Sequence, residues 1–275
     1  MRKLGAAAIA ALALSLPAAS IAQSQAPAKA TPQVKVQSPL KRAAAAATPT
    51  TPAQVQPESL QALQRMSAYL GTLKSFEVTS NWSLDLVTMQ GQRIQLDGVA
   101  KYKVRRPDRF LIDVSTALKK RTYIYDGKSF VLLSPELGFY SRVPAPPTNT
   151  QTLDLLWEKF GIELPLEDLF RWNDPAYSRG REKATSGFDV GPAIIDGVEA
   201  EQYAFRQGQL DWQIWIQKGD QPLPVKVMIV SHNDPAGPAY IARLSWKQNP
   251  NLADADFAFS PGKDAKQIRL TSAKP

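Results

Sequence analysis

Residues 76–104, with the sequence FEVTSNWSLDLVTMQGQRIQLDGVAKYKV, decide the fold of this chain. Apolar residues occupy most alternate positions from Phe76 to Leu86 and again from Ile94 to Val104. Because successive side chains of a strand point to opposite faces of a sheet, this alternation predicts two half-buried strands. A short turn around Gly91 joins them, so the stretch predicts an antiparallel hairpin.

Strands with the same alternation follow this hairpin in two groups. The third strand begins at Phe110, and the Asp196-Gly197 pair is the strongest short hairpin signal in the second group. Residues 257–268 are predicted to form a short strand or loop that closes one edge of the sheet. The other predicted strands are residues 121–125, 129–133, 138–143, 190–195, 198–206, 210–217, 224–231 and 239–246.

Helices are predicted before the first strand and between the two groups. Pro57, Glu58 and the leucines at helical spacing up to Leu73 predict an N-terminal helix, and residues 153–160 and 165–172 predict two short middle helices. We therefore predict a mainly β (α+β) fold. It has one large curled antiparallel sheet of about 10–11 strands, an unclosed half-barrel whose concave face is covered by helices. A concave apolar space of this kind suits a ligand.

The first 22 residues have the layout of a secretory signal peptide. Arg2-Lys3 precedes an apolar run at residues 5–16, and Pro17 ends the run before a cleavage site after Ala22. The run is shorter than the roughly 20 apolar residues that span a bilayer. The chain has 0 cysteines, which excludes a lipoprotein anchor and disulfide bonds. We predict export to the periplasm by a cleaved signal peptide, and no lipidation.

Residues 23–57 have the composition of a disordered linker. They contain six prolines, many alanines, four cations and no acidic or aromatic residue. The net charge of the chain is +8, of which the leader carries two and the linker four, so residues 58–275 carry only +2. A nearly neutral folded part does not indicate a nucleic-acid partner. We predict that residues 58–275 form a single domain.

The residues needed for familiar catalytic or metal sites are scarce. His232 is the sole histidine, in a predicted turn, and there is no cysteine for a zinc site. No Gly-rich phosphate loop with the required spacing is present. We predict no enzymatic activity, no cofactor and no metal. A hydrolase that uses an unrecognised pair among the 25 acidic residues stays a minor alternative.

Core packing is the favoured interpretation for most aromatic residues of the predicted strands, and the positions of some of them also suggest a ligand site. Trp212 and Trp215 stand three apart on one predicted strand, so they point to opposite faces. Aromatic residues of the middle helices could form a lid over the cavity. The candidate cavity residues are Trp82, Leu84, Tyr102, Phe110, Trp157, Phe160, Phe170, Trp212 and Trp215.

Several short motifs carry a resemblance to a known family. They are Arg106-Pro107-Asp108-Arg109, Tyr125-Asp126-Gly127, PLEDL at residues 165–169, and DWQIWI at 211–216 followed by Gly219 and PLP at 222–224. Over about residues 58–270 the chain resembles a bacterial family of predicted periplasmic proteins of unknown function. That family is similar in fold to the LolA/LolB lipoprotein carriers and the RseB stress sensor. The resemblance implies an unclosed β-barrel that binds acyl chains, and it implies no catalytic residues.

Two hypotheses for function follow. The first is a monomeric, non-enzymatic periplasmic binding protein that holds a lipid or lipidated protein in the half-barrel. The second is a protein-interaction or regulatory module, similar to the stress sensor, that contacts an envelope protein through an edge strand or helix. Arg106 and Arg109 are either structural residues of a turn or a clamp for a headgroup. No transmembrane helix is predicted in the mature chain.

Overall fold

The computed structural model describes residues 54–171 and 184–272. The predicted signal peptide and nearly all of the predicted linker lie outside these residues. The predicted loop at residues 173–187 also lies outside them, except for its last four positions. Trp172, at the end of the second predicted middle helix, is also outside them.

Among the described residues the sheet contains twelve strands, and the prediction of a mainly β fold is confirmed. The alternation of apolar residues is the cause, because each strand buries one face. The strands are β1 Ser75–Val87, β2 Arg93–Arg105, β3 Arg109–Thr116, β4 Lys120–Tyr125, β5 Ser129–Ser134, β6 Phe139–Pro144, β7 Ser186–Ile195, β8 Val198–Gln207, β9 Leu210–Gln217, β10 Pro224–Ser231, β11 Ala239–Gln248 and β12 Lys266–Gln267.

The strand order is β12-β6-β5-β4-β3-β2-β1-β11-β10-β9-β8-β7. The first hairpin pairs Phe76 with Val104, and the two groups of strands join where β1 lies antiparallel to β11. All neighbours are antiparallel except β12, which pairs with β6 in parallel and covers that edge as the sequence predicts. The end strands β12 and β7 do not pair with each other, so the sheet is an unclosed half-barrel.

Within residues 54–171 and 184–272, three α-helices accompany the sheet: α1 Pro57–Thr72, α2 Asn149–Phe160 and α3 Asp168–Arg171. Helix α2 begins four residues before the predicted start, because the Thr148 side chain accepts a hydrogen bond from the Gln151 N–H and caps the helix. The second middle helix is shorter than predicted. Leu166 has φ 54°, which an α-helix excludes, so only its last residues are helical.

One large apolar core lies between the sheet and the helices. It joins Met66 and Leu70 of α1 and Leu156 of α2 to residues of strands from β1 to β5 and β8 to β11. We call the side of the sheet that faces these helices the covered face, and the other side the outer face. A smaller cluster on the outer face contains Ile195 and Ala200.

None of the helices among the described residues has the length and hydropathy needed to cross a membrane.

Candidate ligand-binding face

The covered face gathers most of the candidate cavity residues in one cluster. Trp82 and Leu84 of β1, Tyr102 of β2 and Phe110 of β3 are all buried there. Trp212 of β9 is half-buried against the same cluster, where its ring stacks on Phe205 at 4.2 Å between centroids. From the helical side, Phe160 and Phe170 are buried in it too. Seven of the nine candidates therefore share one apolar face, and their role as lining of a ligand cavity stays a prediction.

Two candidates lie elsewhere. Trp215 belongs to the small cluster on the outer face, because it stands an odd number of positions from Trp212 on the same strand. The Lys226 ammonium lies 4.2 Å from the Trp215 ring centroid, a cation–π contact. Trp215 is therefore not part of the covered face. Trp157 of α2 is half-buried and is in neither apolar cluster.

A side chain of the protein itself fills the part of the covered face around Phe76 and Tyr102. Residues 161–171, which we call the cover segment, follow α2 and lie against the sheet. The Phe170 ring of this segment sits 5.9 Å from that of Phe76 and 6.0 Å from that of Tyr102. An aromatic side chain of the cover thus occupies the space between two aromatic residues of the sheet, where the sequence suggested an open concavity.

Hydrogen bonds join the cover segment to β2 and to the turn that follows it. The Tyr102 hydroxyl donates to the Pro165 carbonyl at 3.0 Å, and Arg106 Nη1 donates to the Phe170 carbonyl at 3.3 Å. Burial raises the pKa of Tyr102 well above its usual value, so this hydroxyl stays a donor. Burial lowers the pKa of Arg106, whose guanidinium also lies 5.8 Å from the centre of the Phe76 ring.

A buried arginine anchors the end of the cover segment. Arg171 is 1% exposed, and its Nη1 lies 2.8 Å from Asp154 Oδ1 of α2. Its Nη2 donates to the Thr150 carbonyl at 3.3 Å, and its Nε lies 3.9 Å from Glu167 Oε1. Sequence reasoning missed this residue. The one available signal was an arginine within an otherwise apolar stretch beside acidic residues.

The two arginines of the β2–β3 turn have different surroundings. Arg106 reaches the cover segment, as described above. Arg109 instead donates to the Asp108 side chain at 3.0 Å and packs where a side chain on Gly127 would stand. Arg109 is therefore a structural residue of the turns at this end of the sheet.

Polar residues outside the covered face form ordinary surface pairs. His232 Nε2 lies 2.9 Å from Asp211 Oδ2, and Arg206 holds the same carboxylate with two hydrogen bonds of 2.7 Å. The Arg206 hydrogen bonds lower the pKa of Asp211. No group of three or more His, Cys, Asp or Glu residues suited to a metal ion occurs within residues 54–171 and 184–272.

A cleft of about 440 Å³ opens between α1 and the ends of β7, β8 and β9. Its walls carry charges of both signs, including Arg65 and the ion pair of Lys218 with Glu201 at 2.8 Å. Burial raises the pKa of Tyr203 at its base. The cleft is polar, unlike the covered face.

The chain is similar to several solved structures. LprF from Mycobacterium bovis shares 14% identity with a TM-score of 0.45, covering 76% of this chain and 99% of LprF. The lipoprotein LppX from Mycobacterium tuberculosis shares 10% identity with a TM-score of 0.36, covering 72% and 98%. A LolA superfamily protein from Nitrosomonas europaea shares 9% identity with a TM-score of 0.37, covering 73% and 97%.

A comparison with curated proteins gave no match. The family model for predicted periplasmic proteins, DUF2092, matches residues 59–271, which are nearly all of the predicted domain and well over half of the chain. The sequence resemblance is thereby confirmed, and the chain belongs to the DUF2092 family of predicted periplasmic proteins.

Proposed function

We propose that this protein is a non-enzymatic, exported binding protein that takes the acyl chain of a lipid or lipidated protein between its sheet and its cover segment. The observation that carries the proposal is the position of Phe170, whose ring fills an aromatic slot between Phe76 and Tyr102. The cover segment supplies this ring from a stretch that is mostly irregular rather than helical. An apolar ligand could take the place of the ring without any change in the sheet.

The energy balance of such an exchange favours a long apolar chain. Exposing one buried phenylalanine side chain costs about 1.5–3 kcal/mol, and burying each CH₂ group of a ligand contributes about 0.8 kcal/mol. Two to four methylene groups therefore offset the loss of Phe170 from its slot. The hydrogen bonds that Tyr102 and Arg106 make to cover carbonyls can pass to water or to a headgroup.

The first experiment is native mass spectrometry of the protein purified from the periplasm, followed by extraction and identification of what co-purifies. A stoichiometric lipid or acylated peptide supports the proposal and identifies the ligand class. A second measurement titrates a C16 fatty acid carrying a BODIPY fluorophore. We expect Phe170→Ala to bind this probe about tenfold more tightly than the wild type, because the competing ring is gone.

A matched control distinguishes tighter probe binding at the slot from an effect that the loss of any buried ring would have. Phe257 is fully buried under the Arg105 guanidinium, outside both apolar clusters. Phe257→Ala therefore creates a cavity away from the covered face and should leave probe binding unchanged. If the purified protein carries no lipid and Phe170→Ala binds the probe no better than Phe257→Ala, acyl-chain binding at this face is wrong.

An interaction with an envelope protein is the second candidate, and one observation favours it. The segment before α1 adds to the edge of β7 in parallel: the Gln56 N–H donates to the Gly187 carbonyl at 2.8 Å, and Val55 bridges Gly187. The edge of β7 thus accepts an extended peptide backbone. A photo-crosslinker at the exposed Val190 of β7 should then capture an envelope protein in cells, whereas one at Leu60 of α1 should not.

A further inference from the structure

One end of the sheet carries a set of exposed apolar side chains. Because β1 to β6 form an antiparallel meander, the β1–β2, β3–β4 and β5–β6 turns all lie at the same end. Each turn presents a large apolar residue to solvent: Met89 is 98% exposed, Leu118 79% and Leu137 60%, and the third turn also presents Phe139, which is 36% exposed. We call these three turns, residues 88–93, 116–121 and 135–139, the apolar rim.

Ordered backbone holds each of these side chains outward. In the first turn the Thr88 carbonyl accepts from the Gly91 N–H at 2.8 Å. In the second, Thr116 Oγ1 accepts from the N–H groups of Leu118 at 3.2 Å and Lys119 at 3.1 Å. In the third, the Gly138 N–H closes a 3-10 turn on the Pro135 carbonyl at 3.2 Å. The exposure of the three apolar residues is therefore part of the fold.

The same turns are strongly basic. The three segments contain four cations, Arg93, Lys119, Lys120 and Arg121, and one acidic residue, Glu136. Within the described part of the chain, no carboxylate forms an ion pair with the cations of the second turn. In the first turn, Arg93 Nη1 lies 3.6 Å from Asp85 Oδ2. The backbone N–H of Lys120 donates to Glu136 at 2.9 Å, which links the second and third turns.

From these features we infer that the apolar rim docks the protein on an anionic phospholipid bilayer. Single apolar side chains on separate turns can each enter the headgroup region, while neighbouring cations are attracted to lipid phosphates. A protein partner would instead favour one contiguous apolar patch. This inference does not depend on the proposed acyl-chain site, because the rim lies on exposed turns and shares no residue with the slot around Phe170.

The test is co-sedimentation of the purified protein with vesicles. The vesicles are either phosphatidylcholine alone or phosphatidylcholine with phosphatidylglycerol at about a 7:3 ratio, a mixture that carries a negative surface potential. We expect binding to the anionic vesicles only, weakened by salt. The triple variant Met89→Ser, Leu118→Ser, Leu137→Ser should lose at least about tenfold in affinity. Replacing Lys119, Lys120 and Arg121 by Gln should cost about fivefold per charge.

Two controls make the test specific to the rim. Ile194 is 74% exposed beside the β7–β8 turn, which the strand directions place at the opposite end of the sheet, so Ile194→Ser should bind vesicles like the wild type. Because the chain has 0 cysteines, Leu118→Cys can carry a single NBD label. We expect its emission to shift to the blue on anionic vesicles, and that of labelled Ile194→Cys to stay unchanged.

The vesicle-binding results either support or overturn membrane docking by the apolar rim. Loss of binding in the rim variants alone, with the blue shift at position 118, supports membrane docking by the rim. Binding that survives in both rim variants would mean that the basic residues of the segment before the domain suffice, and it would overturn the inference. An absence of vesicle binding would also overturn the inference. This holds even if the rim variants were found to lose a protein partner.

Discussion

A glycine on the second strand allows Trp82 to occupy the covered face. Gly98 lies directly opposite Trp82, and a Cβ atom added at Gly98 would stand 2.1 Å from Trp82 Cζ2 and 2.5 Å from Cε2. It would also stand 2.6 Å from the backbone carbonyl oxygen of Ser115 on β3. Ordinary contacts between carbon atoms are about 3.5–4.0 Å, so Gly98→Ala requires the ring to move by more than about 1 Å.

The surroundings of Trp82 and Gly98 leave little room for a movement that would relieve these clashes. Trp82 is 2% exposed, so its ring cannot turn into solvent, and the Ser115 oxygen belongs to the backbone of the neighbouring strand. Overpacking a well-packed core typically costs about 1–3 kcal/mol. Because the added Cβ clashes with both the ring and the Ser115 oxygen, we expect Gly98→Ala to cost about 3 kcal/mol. For a domain of this size, such a loss lowers the Tm by about 6–12 °C.

Urea unfolding followed by tryptophan fluorescence measures this loss, and the control is Gly262→Ala. A Cβ at Gly262 would meet nothing within 4 Å, so that variant should be as stable as the wild type or slightly more stable. Trp82→Leu should relieve part of the cost of Gly98→Ala, and the Ser115 clash should remain. A Gly98→Ala protein as stable as the wild type would refute this account of the packing.

Three further predictions concern other parts of the fold. Phe110→Ala should lower the free energy of unfolding by about 3–5 kcal/mol in urea titrations, because the ring is buried 5.3 Å from that of Tyr125; a loss below about 1 kcal/mol would contradict its place in the core. Thr148→Ala should cost about 1 kcal/mol through loss of the α2 cap, and Thr148→Ser should restore most of it. Arg206→Gln should cost less than about 1 kcal/mol, since its pair with Asp211 is largely solvent-exposed. Because Arg206 lowers the folded-state pKa of Asp211, this contribution is complete above the unfolded pKa of about 3.9 and disappears as the pH falls through the lower folded value. The difference between the two proteins should therefore vanish in acid and shrink in high salt; a difference that persists at pH 2 would show that Arg206 acts in another way.

The local periodicity of the sequence predicted the strands and much of their packing. The alternation in residues 76–104 correctly gave the first hairpin, and the spacing of Trp212 and Trp215 correctly placed them on opposite faces. These features depend on neighbours within a few positions, where the geometry of a strand allows only two directions for a side chain. The helix ends were predicted less accurately, because the second middle helix begins at Asp168 and not at residue 165.

The tertiary structure alone decided which residues meet across the fold. Phe170 reaches Phe76 over a separation of more than 90 residues, and Arg171 is buried beside Asp154 although its residue type favours the surface. The apolar rim likewise forms only because three turns separated in the sequence meet at one end of the sheet. Such contacts arise from the pairing of strands and the docking of helices, which local periodicity does not specify. Local sequence patterns therefore specify the elements and their buried sides, whereas the slot, its cover and the rim arise only when the half-barrel assembles.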